Sequence, residues 1–144
     1  MTQETIAKPQ PQPSETAKGY WEAAREGRFV LQTCADCGKI RHYPRPVCDE
    51  CYSLAVRWTE ASGRGRVHSW TIAYHAYHPA FKGEVPYVLL TVDLDEGVRA
   101  LGRLAGEASE RLRLGQPVRL TMATTENGYS LPVFELIETQ SPSK

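Results

Sequence analysis

The sequence has no surplus of charge of either sign and no long apolar run. Its 144 residues contain 17 lysines and arginines and 17 aspartates and glutamates, so the formal net charge is zero. Proteins that bind a polyanion usually carry a basic surplus, so this balance disfavours a nucleic-acid-binding protein. The longest apolar stretch, around residues 85–92, is far shorter than the ~20 residues needed to span a bilayer. We therefore expect no membrane partner.

The motifs of several common enzyme classes are also missing. Ser69 and Ser130 are not flanked by the glycines of a nucleophile elbow. Gly102 and Gly106 lack the lysine and the spacing of a phosphate-binding loop. None of these patterns predicts a catalytic residue. Residues 1–15 contain no apolar core, so we expect no secretory signal and a cytoplasmic protein.

Four cysteines are the most informative feature of what is present. They form two C-x2-C pairs separated by ten residues: Cys34, Cys37, Cys48 and Cys51. In a reducing compartment this spacing indicates metal binding rather than two disulfides. A thioredoxin-like redox pair would explain one C-x2-C and leave the other without a role. Four thiolates complete a tetrahedron and leave no position for water or substrate, so we expect one structural zinc ion. Iron also fits four sulfurs and stays open.

The residues around the cysteines refine this prediction. Gly38 follows the first pair, where glycine easily adopts the left-handed backbone of a zinc knuckle. Tyr52 stands at the equivalent place after the second pair, so we expect that knuckle to close differently. The cations between the pairs can screen the thiolates; they are Lys39, Arg41 and Arg45. The four histidines are not needed as ligands; they are His42, His68, His75 and His78.

The N-terminal part is predicted to be an arm followed by a helix. Residues 1–14 have alternate prolines from Pro9 to Pro13, which favours an extended, flexible arm. The segment from Ser14 to Gly27 contains good helix formers and a glycine at its end. Its Tyr20, Trp21 and Ala24 can share one face. The sequence leaves open whether this face packs on its own domain or docks into another subunit.

The remaining pattern is that of a mainly β protein. We expect residues 15–62 to hold the helix and a four-cysteine zinc ribbon, with strands at Phe29–Thr33 and Leu54–Trp58. Glycines at 63 and 65 mark a hinge into residues 63–138, and residues 139–144 form a tail. Five strands fit an OB-fold barrel, although an open five-stranded sheet would give a similar pattern. These strands are Val67–His78, Tyr87–Leu94, Val98–Leu104, Val118–Thr124 and Ser130–Ile137, with a short helix or turn in Glu107–Leu114.

Two groups of side chains have the chemistry of a ligand site. Aromatic and histidine residues of segment 74–78 precede a loop with Phe81 and Lys82, which in a barrel would lie near its mouth. Arginine suits phosphate because its planar fork donates paired, charge-assisted hydrogen bonds. Four arginines occur at the ribbon and the hinge: Arg41, Arg45, Arg64 and Arg66. The alternative for the aromatic group is that these strand residues cover the sheet and its edge. For the arginines, the alternative is a solvated surface or a role in screening the cysteine sulfurs.

Several stretches in one order resemble the domain-of-unknown-function-35 family. They are YWEAAREGRFVLQTCADCGKIRHYPRPVCDECYS, WTEASGRGRVHSWTI, PYVLLTVDLDEGVRALGRL, and GQPVRL through PVFEL, from about Gly19 to Leu136. The resemblance implies an N-terminal helix and a rubredoxin-like zinc ribbon joined to an OB-fold. It also implies a subunit that binds acyl-CoA beside a thiolase-fold enzyme in a hetero-oligomer, with the catalytic cysteine and histidine supplied by the partner.

The leading hypothesis is therefore a non-catalytic accessory subunit of a thiolase-like complex that makes or cleaves carbon–carbon bonds in acyl-CoA metabolism. Its cofactors would be one zinc ion, held by the four cysteines, and coenzyme A or acyl-CoA as ligand. The candidate CoA-binding residues are Arg41, Arg45, Arg64, Arg66, His75 and Lys82. The alternatives are a single-stranded nucleic-acid-binding zinc ribbon/OB-fold module, which the balanced charge disfavours, and a free-standing enzyme.

Overall fold

The computed structural model describes residues 6–106 and 109–137. Within them the chain forms one helix, α1 (Lys18–Arg25), and eight strands. The strands are β1 (Val30–Cys34), β2 (Ile40–Arg41), β3 (Val56–Glu60), β4 (Arg64–Ala73), β5 (Tyr87–Leu94), β6 (Arg99–Leu104), β7 (Pro117–Thr124) and β8 (Ser130–Leu136). Two short 3-10 turns lie at Pro79–Phe81 and Ser109–Arg111. The mainly β architecture predicted from the sequence is confirmed.

Helix α1 is shorter than the predicted Ser14–Gly27. A turn precedes it, in which the Ala17 amide donates to Ser14 Oγ at 3.2 Å. The helix stops before Gly27, whose φ of 75° is a left-handed conformation that glycine adopts without strain. The helix therefore occupies the centre of the predicted segment, and turns occupy its ends.

The aromatic face of α1 packs on its own chain, which answers the question that the sequence left open. Tyr20 is buried and its ring lies 5.6 Å from that of Phe29 in the ribbon, edge to face. The next ring, Trp21, lies 5.6 Å from Tyr129 in the barrel. Arg25 reinforces this second contact, because its guanidinium lies 4.1 Å from the centre of the Tyr129 ring. The helix thus joins the two β units.

The ribbon is a three-stranded antiparallel sheet in the order β2-β1-β3. The central strand β1 is buried along its whole length, including its two polar residues. Thr33 is satisfied by a side-chain hydrogen bond of 2.7 Å between its Oγ1 and Thr59 Oγ1. On the same sheet, Trp58 of β3 contacts the start of α1 so closely that a Cβ at Gly19 would lie 2.2 Å from Trp58 Nε1. Only glycine permits this approach.

Residues 64–136 form a closed five-stranded barrel in the order β4-β5-β6-β8-β7, with β6 and β8 parallel and the other pairs antiparallel. Alternate side chains point inwards, and the core includes Val67, Leu90, Val92, Val118 and Phe134. At Gly102 on β6 a Cβ would lie 2.6 Å from the ring of Phe134. The OB-fold prediction, rather than the open sheet, is confirmed.

Two predicted strands are misplaced. Strand β4 runs from Arg64 to Ala73, whereas the prediction was Val67–His78. Its partner begins at Tyr87, after Pro86, which has no amide hydrogen to extend the ladder. In the ribbon, β3 begins at Val56 and not at the predicted Leu54, whose side chain is exposed.

The ends of the chain are described only in part. Residues 6–14 form no regular element, and Lys8 lies against the barrel with its Nζ 2.6 Å from Glu84 Oε2. Residues 1–5 of the predicted arm, 107–108 of the predicted short helix and the tail 139–144 lie outside the described residues. No helix in the described part of the chain has the length and hydrophobicity needed to cross a membrane.

Candidate metal centre and adjoining crevice

The two C-x2-C pairs meet at one point. The Sγ atoms of all four cysteines lie within 4.8 Å of one another. The Cys34 and Cys51 sulfurs are 3.5 Å apart, and those of Cys37 and Cys48 are 3.6 Å apart. Sulfurs ~2.3 Å from a tetrahedral zinc ion are about 3.8 Å from one another. The donor set and its spacing therefore fit zinc, and these cysteines would hold it.

The backbone closes both knuckles in the same way. After the first pair, the amide of Gly38 donates to the carbonyl of Cys34 at 3.0 Å. After the second pair, the amide of Tyr52 donates to the carbonyl of Cys48 at 2.9 Å. Gly38 has a φ of 81° and Tyr52 a φ of 62°, both left-handed. The expectation that Tyr52 closes its knuckle differently is therefore wrong: the tyrosine adopts the backbone that glycine adopts in the first knuckle.

Each knuckle favours the thiolate form of its first cysteine. The amide of Cys37 lies 3.5 Å from Cys34 Sγ, and this hydrogen bond is the main cause that lowers the pKa of the Cys34 thiol to about 6. The amide of Cys51 has the same effect on Cys48, whose pKa is also lowered. The pKa of Cys37 and that of Cys51 are raised. Thiolates are the species that bind metals, so the local backbone prepares the first cysteine of each pair as a ligand.

An ion-pair cluster connects the two knuckles on the outside. Lys39, which follows the first knuckle, has its Nζ 2.7 Å from Asp49 Oδ1 and 3.2 Å from Glu50 Oε1 in the second. The hydrogen bond to Asp49 is the largest of the effects that raise the pKa of Lys39. This lysine therefore neutralises carboxylates beside the cysteines and holds the two knuckles together.

A crevice with a volume of about 430 Å³ separates the ribbon from the β5–β6 hairpin of the barrel. Its charged walls carry four cations and two carboxylates: Lys39, Arg41, Arg45, Arg99, Asp49 and Asp93. His42 also lines it, and burial lowers the pKa of that imidazole to about 4, so it is neutral at pH 7. The crevice is thus positively charged although the whole chain is neutral.

Arg41 is the buried cation of this crevice. Its Nε donates to Gln32 Oε1 at 2.5 Å, and the same oxygen accepts the Arg45 amide at 2.8 Å. Its Nη2 donates to the Arg45 carbonyl at 3.3 Å. Its Nη1 is buried and has no hydrogen-bond partner in the part of the chain that the structure describes. Gln32 therefore fixes the guanidinium in place.

Arg99 also lines the crevice, although it is not one of the predicted ligand-binding residues. It lies opposite Asp93 in the β5–β6 hairpin, and its Nε donates to Asp93 Oδ1 at 2.8 Å. This hydrogen bond is the main cause that lowers the pKa of Asp93. The sequence could have predicted this pair. The Asp95–Gly97 turn sets the register of the hairpin, and in that register Asp93 and Arg99 face each other across the strands.

The six residues predicted to bind CoA do not meet in one place. Arg41 and Arg45 line the crevice. Two others begin β4, where Arg64 lies opposite Arg119 of β7 and Arg66 Nη1 donates to the Gly115 carbonyl at 3.0 Å. The last two lie in the segment between β4 and β5: His75 and Lys82. In this segment Tyr77, which contacts the His75 ring, is 93% exposed.

Family models match most of the chain. The model of the ChsH2 rubredoxin-like zinc ribbon domain matches residues 21–57, and that of the ChsH2 C-terminal OB-fold domain matches residues 58–123. A solved chain described as an Ltp2-ChsH2(DUF35) aldolase is 38% identical and superimposes with a TM-score of 0.81, over 88% of this chain and 98% of that one. This chain belongs to the DUF35 family.

Other relatives of this DUF35 chain are named as subunits of acyl-CoA enzymes. The probable enoyl-CoA hydratase alpha subunit of Thermomonospora curvata is 40% identical over 138 residues, which are 92% of this chain. This chain spans only 43% of the length of that relative. The benzoylsuccinyl-CoA thiolase subunit BbsA of Geobacter metallireducens is 29% identical over 102 residues, covering 70% of this chain and 66% of that one. The predicted family, zinc ribbon and OB-fold are therefore confirmed.

Proposed function

We propose that this chain is a non-catalytic subunit that binds acyl-CoA together with a thiolase-fold enzyme that makes or cleaves carbon–carbon bonds. Relatives named as aldolase, thiolase and hydratase subunits support an acyl-CoA enzyme as the partner. All four cysteines of the chain lie at the metal centre. Four sulfur ligands saturate zinc, so the ion would stabilise the ribbon and leave the reaction to groups of the partner.

The observation that carries the CoA assignment is the cationic crevice between ribbon and barrel. CoA bears phosphate groups, and arginine donates paired, charge-assisted hydrogen bonds to phosphate. Arg45 and Arg99 line the crevice together with the buried Arg41. Because Gln32 already positions the guanidinium of Arg41, its positive charge would act on a bound phosphate without further loss of side-chain entropy.

The other predicted residues remain candidates for the rest of the ligand. Arg64 and Arg66 at the start of β4 would extend the positive surface. Tyr74 and Tyr77 are both exposed and offer aromatic faces against which the pantetheine arm could lie, next to His75 and Lys82. Since these rings are exposed on the free chain, we expect the catalytic subunit to cover them and complete the site.

The test is CoA binding by the assembled complex of this chain with its catalytic subunit, purified from the native cell. Arg45→Ala combined with Arg99→Ala should weaken binding at least tenfold by calorimetry, because each charge-assisted hydrogen bond contributes about 1.5–3 kcal/mol. Arg64→Ala should weaken it less. The matched control is Arg28→Ala, an exposed arginine paired with Glu26 and Glu60, which should leave the affinity unchanged.

Different outcomes would contradict the crevice as the CoA site or the proposed function as a whole. Unchanged affinity in the Arg45/Arg99 double variant would remove the crevice from the CoA site. A complex that binds no CoA, or a purified chain that turns over an acyl-CoA by itself, would contradict the proposed function as a whole. Native mass spectrometry with metal analysis of the same sample would identify the partner fold, the stoichiometry and the bound ion.

A further inference from the structure

Strand β4 is ten residues long, but only its first part has a neighbour on both sides. β7 pairs with Arg64–Arg66, and the last backbone hydrogen bonds on that side join Val67 to the loop before β7. On the other side, β5 pairs with β4 as far as Ala73. In the part of the chain that the structure describes, no strand pairs with residues 69–73 on the side away from β5. These residues form a free edge of the sheet.

A β-bulge marks the point at which this edge becomes free. The register of β4 against β5 shifts between Val67 and Ser69, so His68 is the extra residue. Four successive residues beyond the bulge are exposed: Ser69, Trp70, Thr71 and Ile72. Before the bulge, exposed and buried residues alternate along β4, as in a strand with one covered face. The rest of the described chain therefore fully buries neither face of the free edge.

The free edge lacks the features by which proteins prevent unwanted strand pairing. Such edges are usually protected by charged side chains, especially lysine, or by proline. Residues 69–73 read SWTIA and contain neither. Aromatic and β-branched residues such as Trp70, Thr71 and Ile72 favour strands. The backbone N–H and C=O groups that point away from β5 can therefore pair with an incoming strand, and such groups select extended backbone as their partner.

Two copies of this edge are complementary to each other. An antiparallel pair of strands has two-fold symmetry, so two identical edges supply each other with donors and acceptors. With the axis at Thr71, Trp70 of each copy lies opposite Ile72 of the other. Pairs of an aromatic and a β-branched residue across two strands stabilise a sheet. The edge carries no charge that would oppose the approach of a second copy.

We propose that the free edge of β4 pairs with the same edge of a second copy of this chain, so that two barrels share one antiparallel sheet across a two-fold axis. The contact has far fewer residues than the roughly 20–30 on each side of a standard interface. We therefore expect a dimer that dissociates on dilution. Residues 69–73 include none of the predicted CoA-binding residues, so the dimer is compatible with the proposed function and does not depend on it.

The test is sedimentation equilibrium of the full zinc-loaded chain, without CoA or a catalytic subunit, from micromolar to near-millimolar concentration. The share of dimer should rise with the concentration of the wild type. Thr71→Lys should weaken the dimer by about tenfold or more, because two lysines would then lie opposite each other on the axis. Thr124→Lys, at an exposed threonine of β7, is the matched control and should dimerise like the wild type.

A charge exchange tests the register of the pair. Thr71→Glu alone should also weaken the dimer, since two carboxylates would face each other. An equimolar mixture of Thr71→Lys and Thr71→Glu should dimerise again, because each lysine then faces a glutamate. Recovery in the mixture would also show that neither substitution unfolds β4. In the wild type, amide hydrogen exchange in residues 69–73 should slow as the chain concentration rises.

Three outcomes would overturn the proposal. The first is a wild type that stays monomeric at every concentration, and the second is a dimer that Thr71→Lys leaves unchanged. The third is a wild type in which the amides of residues 69–73 become protected only after the catalytic subunit is added. In that case the edge pairs with a strand of that subunit and not with a second copy of this chain.

Discussion

The ribbon and the barrel are both small β-sheets, but they are stabilised by different means. The barrel buries inward-facing side chains on all five of its strands. The ribbon has one fully buried strand, β1, and its tip exposes large apolar side chains, with Tyr52 78% and Leu54 73% exposed. A β unit of this size cannot bury enough apolar surface to fold alone, so it needs a cross-link such as a metal. The ribbon and the barrel, although they are neighbours in one chain, therefore depend on different interactions for their stability.

The largest effect should come from loss of the metal. Cys48→Ser removes a fully buried ligand, and metal binding contributes about 10–16 kcal/mol to the folding of isolated zinc-finger peptides. We expect the ribbon to unfold while the barrel stays folded with a lower melting temperature. Backbone amide NMR would show loss of dispersed signals from residues 30–60 and their retention from the barrel strands.

Val47→Ala is the matched control, because Val47 directly precedes Cys48 and its side chain is exposed. It should keep one metal ion per chain in elemental analysis and a wild-type spectrum. Simultaneous loss of ribbon and barrel signals in Cys48→Ser would show that the two sheets form one cooperative unit, and the contrast between them would then be wrong.

The converse variant weakens the barrel. Phe134 is fully buried and packs against Gly102 across the barrel. Phe134→Ala should lower the free energy of unfolding by about 3–5 kcal/mol, as expected for an aromatic side chain removed from a core. Urea denaturation followed by tryptophan fluorescence would measure this change, and the metal content should remain one ion per chain.

The control for this variant lies on the same strand. Leu131 is 40% exposed on the outer face, so Leu131→Ala should cost less than about 1 kcal/mol. If the two variants were equally stable, Phe134 would not anchor the core. If Phe134→Ala released the metal, the ribbon would depend on the barrel for its fold.

The parts of the molecule that the sequence predicted well are those governed by local chemistry. The spacing of Cys34, Cys37, Cys48 and Cys51 determines a metal centre without knowledge of the rest of the chain. Alternating apolar residues located four of the five barrel strands closely, because one face of each must be buried. The β4 boundary was missed because it depends on Pro86, which directly precedes the partner strand, and this is a long-range effect.

The candidate site was predictable only in part for the same reason. Arg41 and Arg45 stand out as arginines near the cysteines, but their role in a crevice depends on Arg99 and Asp93 from the barrel. The sequence offers no direct sign that ribbon and hairpin face each other. The contact of the N-terminal segment with the barrel was not predicted either, because it pairs two residues that are far apart in the sequence, Lys8 and Glu84.

The smallest effect concerns the two knuckles, which share a backbone conformation but not a residue type. A left-handed conformation destabilises an L-residue by about 1–2 kcal/mol. Glycine avoids this strain, but its greater conformational entropy in the unfolded chain lowers stability by roughly 0.5–1 kcal/mol. Tyr52→Gly should therefore stabilise the zinc-loaded chain by about 0.5 kcal/mol, and Gly38→Ala, its mirror experiment, should destabilise it by about 1 kcal/mol. Thermal unfolding of both variants would measure the difference. A destabilising Tyr52→Gly would mean that contacts of the ring outweigh the strain of its backbone.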